Sequence, residues 1–313
     1  MRFTPEKWRL RDAGAQHART LGSIREAWEA TMLTRVDRVQ MAVRDRFAAA
    51  GRLGELFAAT PVADDTVAVL GARRRTMQAG TALFELLEPA GDGPVASSLA
   101  RWGEGLFAAG FATPDIDVFA RRLDAGGVRY TAEGGRLYLD GSDTDALPAV
   151  ISADTPIDVP PASALRWLYE VTLLVPDAAA ATAHLTRVFG LNAARFCPIA
   201  SEQYGYHGTL TLFEPPARLD RIEVVQTSDE SHAMGRFYAR RGPGLYMCFV
   251  ETDSIDALCA RLDAAEARYA PSEYGKENGI FLHPSTLFGM LMGVSRTSYG
   301  WTWSGRPDLV RAP

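Results

Sequence analysis

The sequence predicts an α+β protein: four βαβββ modules paired into two domains, with a helical extension in front. Three observations predict it. The two halves of the chain repeat one order of strand-like and helix-like segments. A Pro- and Asp-rich stretch, Ser152–Ser163, separates the halves. The length, 313 residues, suits two cores of about 130 residues each better than one.

Residues 1–30 read as the helical extension, anchored by Trp8, Leu10, Leu21, Ile24 and Trp28. The first domain is expected over 31–153. It opens on Val36-Asp37-Arg38-Val39-Gln40-Met41-Ala42-Val43, which alternates like a half-buried strand. An Ala-rich helix follows, ending at Leu56-Phe57. The second domain is expected over 164–297 and opens in the same way, on Leu168 to Asp177. Its Ala-rich helix ends at Val188-Phe189-Gly190, where glycine supplies a stop. Each half closes its first module with a similar strand, Leu83 to Pro89 and Arg221 to Gln226. A linker with a short helix leads to Gly103-Glu104-Gly105-Leu106 and to Gly242-Pro243-Gly244-Leu245. Helices led by N-cap-type residues come next, at 115–124 and 253–264. Short strands end each half. A single small curved sheet cannot bury its inner face alone, so two modules make a domain. Residues 298–313 read as an irregular tail with Tyr299, Trp301 and Trp303 docked.

Composition is 47% hydrophobic and 23% charged, with a formal net charge of −5, ordinary for a globular chain. No basic stripe suggests nucleic acid, and Arg73-Arg74-Arg75 reads as a solvated strand edge. No run approaches the ~18–20 apolar residues of a membrane span. A charged N-terminus without an apolar core and three widely spaced cysteines suggest reduced thiols and a cytoplasmic location. The expected partner is a small-molecule ligand or substrate, and a homodimer is compatible with the sequence.

Several phrases together are similar to the vicinal-oxygen-chelate superfamily, the glyoxalase, bleomycin-resistance and extradiol-dioxygenase group. Its members often open with I-D-H-V-x-I-x-V-P-D, close the first module with E-L-L-E-P and continue with G-E-G-L. Phe84 to Pro89, Gly103 to Leu106 and Phe281-Leu282-His283-Pro284 match in order and spacing, over roughly residues 33–296. The resemblance implies a curved sheet that makes a cup in each domain. It also implies four metal-ligand positions near each floor: a His, a Glu or Gln, a second His and a Glu.

At those positions this chain has Arg38, Glu85, Ala108 and Val150 in the first domain, and Glu170, Glu223, Met247 and Gly293 in the second. Arginine cannot bind a cation, so Arg38 is expected to pair with Glu85 and fill that cup. Ala108 and Val150 are expected to leave no other polar group there. The second cup is expected to keep Glu170 and Glu223 without a floor-level cation. Two adjacent carboxylates raise one pKa and suit general acid–base work. The bland alternative is that one of them pairs with Arg221, Arg236 or Arg166. His207 is the third catalytic candidate. Substrate-binding candidates are Tyr204, Tyr206, Tyr246, Met247, His232 and Arg236, with strand alternation favouring Met247 over Tyr246 as the inward residue. His184 is expected to pack, His283 to serve a turn, and Cys248 to face away from the cup.

The reading that follows is a metal-independent lyase or isomerase acting on a small oxygenated metabolite, aromatic ones included. No cofactor is expected, and a metal at Glu170/Glu223 is the less favoured option. The alternative is a non-catalytic binding protein that sequesters a small molecule, as in bleomycin resistance. A metal-dependent dioxygenase ranks below both, because it needs histidines that are missing.

Overall fold

A computed structural model of the chain describes residues 32–160 and 162–312. The helix expected over residues 1–30 lies outside the described residues. The first half runs β1 (Arg35–Ala42), α1 (Arg46–Phe57), β2 (Thr60–Val67), β3 (Ala72–Ala79) and β4 (Ala82–Pro89). After α2 (Pro94–Trp102) come β5 (Gly105–Thr113), α3 (Ile116–Gly126), β6 (Thr131–Glu133), β7 (Arg136–Leu139) and β8 (Ala149–Ala153). The second half repeats this as β9 (Leu168–Leu174), α4 (Ala178–Phe189), β10 (Cys197–Ser201), β11 (Tyr206–Leu212) and β12 (Arg221–Thr227). Then follow α5 (Ala233–Arg241), β13 (Gly244–Thr252), α6 (Ile255–Ala264), β14 (Tyr269–Pro271), β15 (Gly279–Leu282) and β16 (Leu291–Arg296). Ser152 lies inside β8, so the connection between the halves starts later than its composition suggests.

The four long module helices start where a short polar side chain can satisfy free backbone N–H groups. Asp45 caps α1 and Asp115 caps α3. Asp177 caps α4 and Ser254 caps α6.

Each half forms one eight-stranded sheet. The orders are β2-β3-β4-β1-β5-β8-β7-β6 and β10-β11-β12-β9-β13-β16-β15-β14, so the two sheets share one topology. Within each, the opening strand pairs parallel to the last strand of its own module and antiparallel to the first strand of the next. Alternation then sorts the side chains. Val39, Met41, Phe84 and Leu86 point to the helix-covered face, as do Val171, Leu173, Ile222 and Val224. Arg38 and Glu85 take the other, concave face, as do Glu170 and Glu223.

The helix-covered faces of both sheets share one hydrophobic core. Phe111 packs on Phe189 and Phe213, and Phe119 on Phe189, with ring centroids about 6 Å apart. Polar groups also cross the junction. The Val36 N–H donates to Asp220 at 2.7 Å, and Arg122 donates to the Val188 carbonyl at 3.1 Å. His184, expected to pack only, instead binds Asp145 across the junction at 2.8 Å. The tail is irregular, as read. Trp301 is buried against Tyr169, Leu212 and Leu219.

Among the described residues, no helix is long and apolar enough to cross a membrane. Arg73-Arg74-Arg75 is not a solvated edge. β3 lies between β2 and β4, and Arg74 turns inward to Asp65 at 2.6 Å and towards Glu85 at 3.5 Å.

Candidate active site

Register places the two floors in correspondence. Arg38 lies opposite Leu83, and Gln40 opposite Glu85, on the β1–β4 pair. Glu170 lies opposite Arg221, and Thr172 opposite Glu223, on the β9–β12 pair. The fourth-strand glutamate is thus common to both sheets, and so is its polar neighbour. Gln40 donates to Glu85 at 2.8 Å, and Thr172 donates to Glu223 at 2.6 Å. The difference lies at one position, Arg38 in one sheet and Glu170 in the other.

In the first domain Arg38 binds Glu85 at 3.0 Å and Asp37 at 2.6 Å, as the sequence suggests. The floor is more polar than expected, because Arg136 reaches Glu85 at 2.6 Å, Arg74 stands near it, and Ser152 accepts from Arg38. Burial alone would raise the Glu85 pKa. The three guanidiniums overcome that and hold it at about 2. Gly110 lets the Arg38 side chain cross, since a Cβ there would meet its Cγ at 1.9 Å. Above this cluster Ala42, Leu87, Leu99, Tyr138 and Val150 pack together and fill the concave face.

The second concave face is open. It encloses a cavity of about 460 Å³ with Glu170 and Glu223 among its lining residues, within the size range of small-molecule sites. The expectation that this floor lacks a cation is wrong. Arg221 is fully buried and its Nε donates to Glu170 at 2.6 Å, so the bland pairing holds for Glu170. The signal was available: Arg221 opens β12 two residues before Glu223, on the same face. Both carboxyls are raised by burial, and at Glu170 the Arg221 guanidinium opposes that rise. Among the described residues Glu223 has no ion-pair partner. Burial first, and then the Glu170 charge, push it up to about 8. The charge of one carboxyl raises the other, so the two titrate as a pair. Thr172 donates to Glu223, and Tyr206 lines the cavity beside it.

Of the other sequence candidates, Tyr204, Tyr206, Tyr246, Met247, His232 and Arg236 all line this cavity. Alternation does not exclude Tyr246. A bulge between Leu245 and Met247 in the β13–β9 pairing lets both neighbours reach the cup. His207 is not there. It is exposed on the other face of β11 and lines a shallow groove with Pro198 and Gln226. Gly205 admits the His232 ring, whose Cδ2 would lie 2.7 Å from a Cβ there. His283 forms its turn with Ser285 at 2.8 Å, and Cys248 is buried in the shared core.

The sequence reading missed the aromatic wall. Phe249 of β13 packs edge-on against Phe281 at 5.7 Å and tilted against Trp303 at 5.9 Å. Trp303 stacks on Tyr274 at 5.4 Å and 13°. The tail therefore builds one side of the cup. On the other side α5 carries Met234 and Arg236 into the lining. α5 is tied to the first domain by Arg241, which donates to the Trp102 carbonyl at 2.8 Å and lies between the Trp102 and Phe237 rings.

The floor does not fit a divalent metal. Of its two carboxyls, Glu170 is engaged by a guanidinium and Glu223 by the Thr172 hydroxyl, while Met247 and a glycine take the other two positions. Among the described residues no group of three or more His, Cys, Asp or Glu is placed to hold an ion.

Residues 167–282 match the family model described as Glyoxalase/Bleomycin resistance protein/Dioxygenase superfamily. No curated protein matches the sequence. Among solved structures, a triple mutant of 4-hydroxymandelate synthase from Streptomyces coelicolor is similar with a TM-score of 0.60 at 14% identity, over 84% of this chain and 92% of that one. The Mn(II)-bound glyoxalase from Novosphingobium aromaticivorans is similar with a TM-score of 0.52 at 13% identity, over 85% of this chain and 82% of that one. At such identities the likeness is one of fold.

Proposed function

We propose, from the match of residues 167–282 to the glyoxalase, bleomycin resistance and dioxygenase superfamily, that the second domain performs metal-independent acid–base chemistry, as an isomerase or lyase, on a small oxygenated metabolite. The observation that carries this reading is the unequal carboxyl pair at the cup floor. Glu170 is paired with Arg221, and Glu223, beside it, is pushed up to about 8 by burial and by the Glu170 charge. A carboxyl poised near neutrality can both give and take a proton at working pH. Glu223 donates to a substrate carbonyl or leaving oxygen, and in its ionised form it accepts a proton from a carbon beside a carbonyl. Glu170 stabilises the protonated state without moving, and Tyr206 orients the Glu223 oxygen. The aromatic wall gives a flat substrate its stacking surface. Arg236 at the opposite side offers a cation to an anionic substituent.

The second reading, sequestration without turnover, draws support from the same aromatic wall. A cationic drug is disfavoured, because Glu170, Arg221 and protonated Glu223 leave the floor neutral overall. A neutral ligand remains compatible with that reading.

The test is hydrogen exchange of a panel of 2-oxo and 2-hydroxy acids in D₂O, followed by NMR, with the protein treated with chelator. The wild type is expected to exchange the hydrogen beside the carbonyl or hydroxyl of at least one compound, and Glu223→Gln to lose about 10²–10⁴-fold of that rate. Exchange that survives Glu223→Gln but disappears in Glu85→Gln would place the chemistry in the first domain. Tight binding of a panel member without exchange or product would favour sequestration.

A further inference from the structure

A second cavity, of about 450 Å³, lies away from the cup. The segment joining the two domains, the turn between β11 and β12, the end of β13 and the tail enclose it. One of its lining groups is Glu251, near the C-terminal end of β13. Glu251 is fully buried. One of its oxygens accepts the Ser298 N–H at 2.9 Å, and the other has no hydrogen-bond partner among the described residues. Leaving a buried carboxyl oxygen unmatched costs about 1–3 kcal/mol, so such a group calls for a missing donor. Burial pushes this carboxyl up to about 7, against the Ser298 N–H that favours its charge. It is therefore ready to ionise when a cation arrives.

The rest of the wall gives that cation a body. Trp167, Trp301, Leu219 and Leu309 are apolar surface beside the carboxyl. Arg311 stands exposed at the rim. Its backbone is bound, the N–H to Ser298 and the carbonyl to Arg296, but its guanidinium forms no ion pair with a described residue. The other two rim guanidiniums are engaged, Arg166 with Asp253 and Arg218 with Asp220.

We propose that this cavity is a binding site for a small zwitterion of the α-amino-acid type, with its ammonium group on Glu251, its carboxylate on Arg311 and an apolar side chain against the two indoles. The proposal is independent of the reading of the cup. It uses neither Glu170 nor Glu223.

The test is calorimetric titration of the full chain with L-leucine, isoamylamine and N-acetyl-L-leucine. L-leucine is expected to bind. Isoamylamine, which keeps the ammonium, binds more weakly, and N-acetyl-L-leucine, which lacks it, does not bind. Glu251→Gln keeps the shape and is expected to weaken L-leucine by about tenfold or more, a change of ~1.4 kcal/mol. Arg311→Gln, at an exposed position that does not threaten folding, is expected to weaken L-leucine but leave isoamylamine unchanged. Absence of L-leucine binding to the wild type would show a cavity satisfied by water and overturn the proposal. So would L-leucine binding unaffected by both variants, or N-acetyl-L-leucine binding as well as L-leucine.

Discussion

Glu85 and Glu223 occupy the same place in two sheets of the same topology and titrate in opposite directions. Each accepts a hydrogen bond from the polar residue beside it on the opening strand. The charges around them differ: Arg38, Arg136 and Arg74 surround Glu85, whereas the Glu170 carboxyl faces Glu223. Arg221, facing Glu170, is then the residue on which the second floor depends. Arg221→Met is expected to destabilise the protein by about 3–5 kcal/mol in denaturant unfolding, because it leaves the buried Glu170 carboxyl without its ion-pair partner. Glu170→Gln placed on the same background is expected to recover most of that loss, because the orphaned charge goes with it. The Glu170/Glu223 pairing was legible in the sequence, because period-two alternation from a known opening strand fixes which residues face inward. The inward face of Arg221 was legible in the same way, but its partner was not, because that depends on the register between β9 and β12.

At the scale of elements, local signals carried most of the fold. Asp45, Asp115 and Asp177 announce helices, and Gly190 ends one, through contacts that reach only a few residues along the chain. Contacts between elements left no such local trace. The bulge that turns Tyr246 inward and the tail that brings Trp303 to Phe249 arise from pairing over long separations, and the face His207 takes is set by the register of β11 with β10 and β12. Helix α5 shows the same dependence. It borders the cup through Arg236, touches Tyr246 through Phe237 at 5.0 Å, and is fixed at its C-terminal end by Arg241 on the first domain. Arg241→Ala is expected to accelerate amide exchange in α5 several-fold, equivalent to ~1 kcal/mol of lost local protection, and to leave β9 and β12 unchanged. Equal acceleration in all three would mean that Arg241 supports global stability and not this helix.

Across the whole molecule, buried carboxyls set the response to pH. Glu223, Glu251 and Asp220 titrate at about 8, 7 and 6 when folded, against ordinary values of 4.5, 4.5 and 3.8. Each binds its proton more tightly in the folded state. The stability they confer is complete below the unfolded pKa and is lost as pH rises through the folded one. Glu85, depressed to about 2, acts the other way and costs stability only as pH falls below about 4.5. The melting temperature is therefore expected to fall steadily from pH 5 to pH 9, with Glu223→Gln and Glu251→Gln each flattening part of the slope. A melting temperature that rises over that range would contradict the assignment of buried, protonated carboxyls. Neither domain is expected to be indifferent to the other, since the helix-covered faces of both sheets close one core.

Each floor holds its positive charge as a side chain, Arg38 in one and Arg221 in the other. A charge carried by the polypeptide is inherited at translation. It does not wait on the supply of any ion, cannot be displaced by a competing one and has no oxidation state to lose. It also cannot be exchanged for another, so the charge at either floor changes only when the residue itself is substituted.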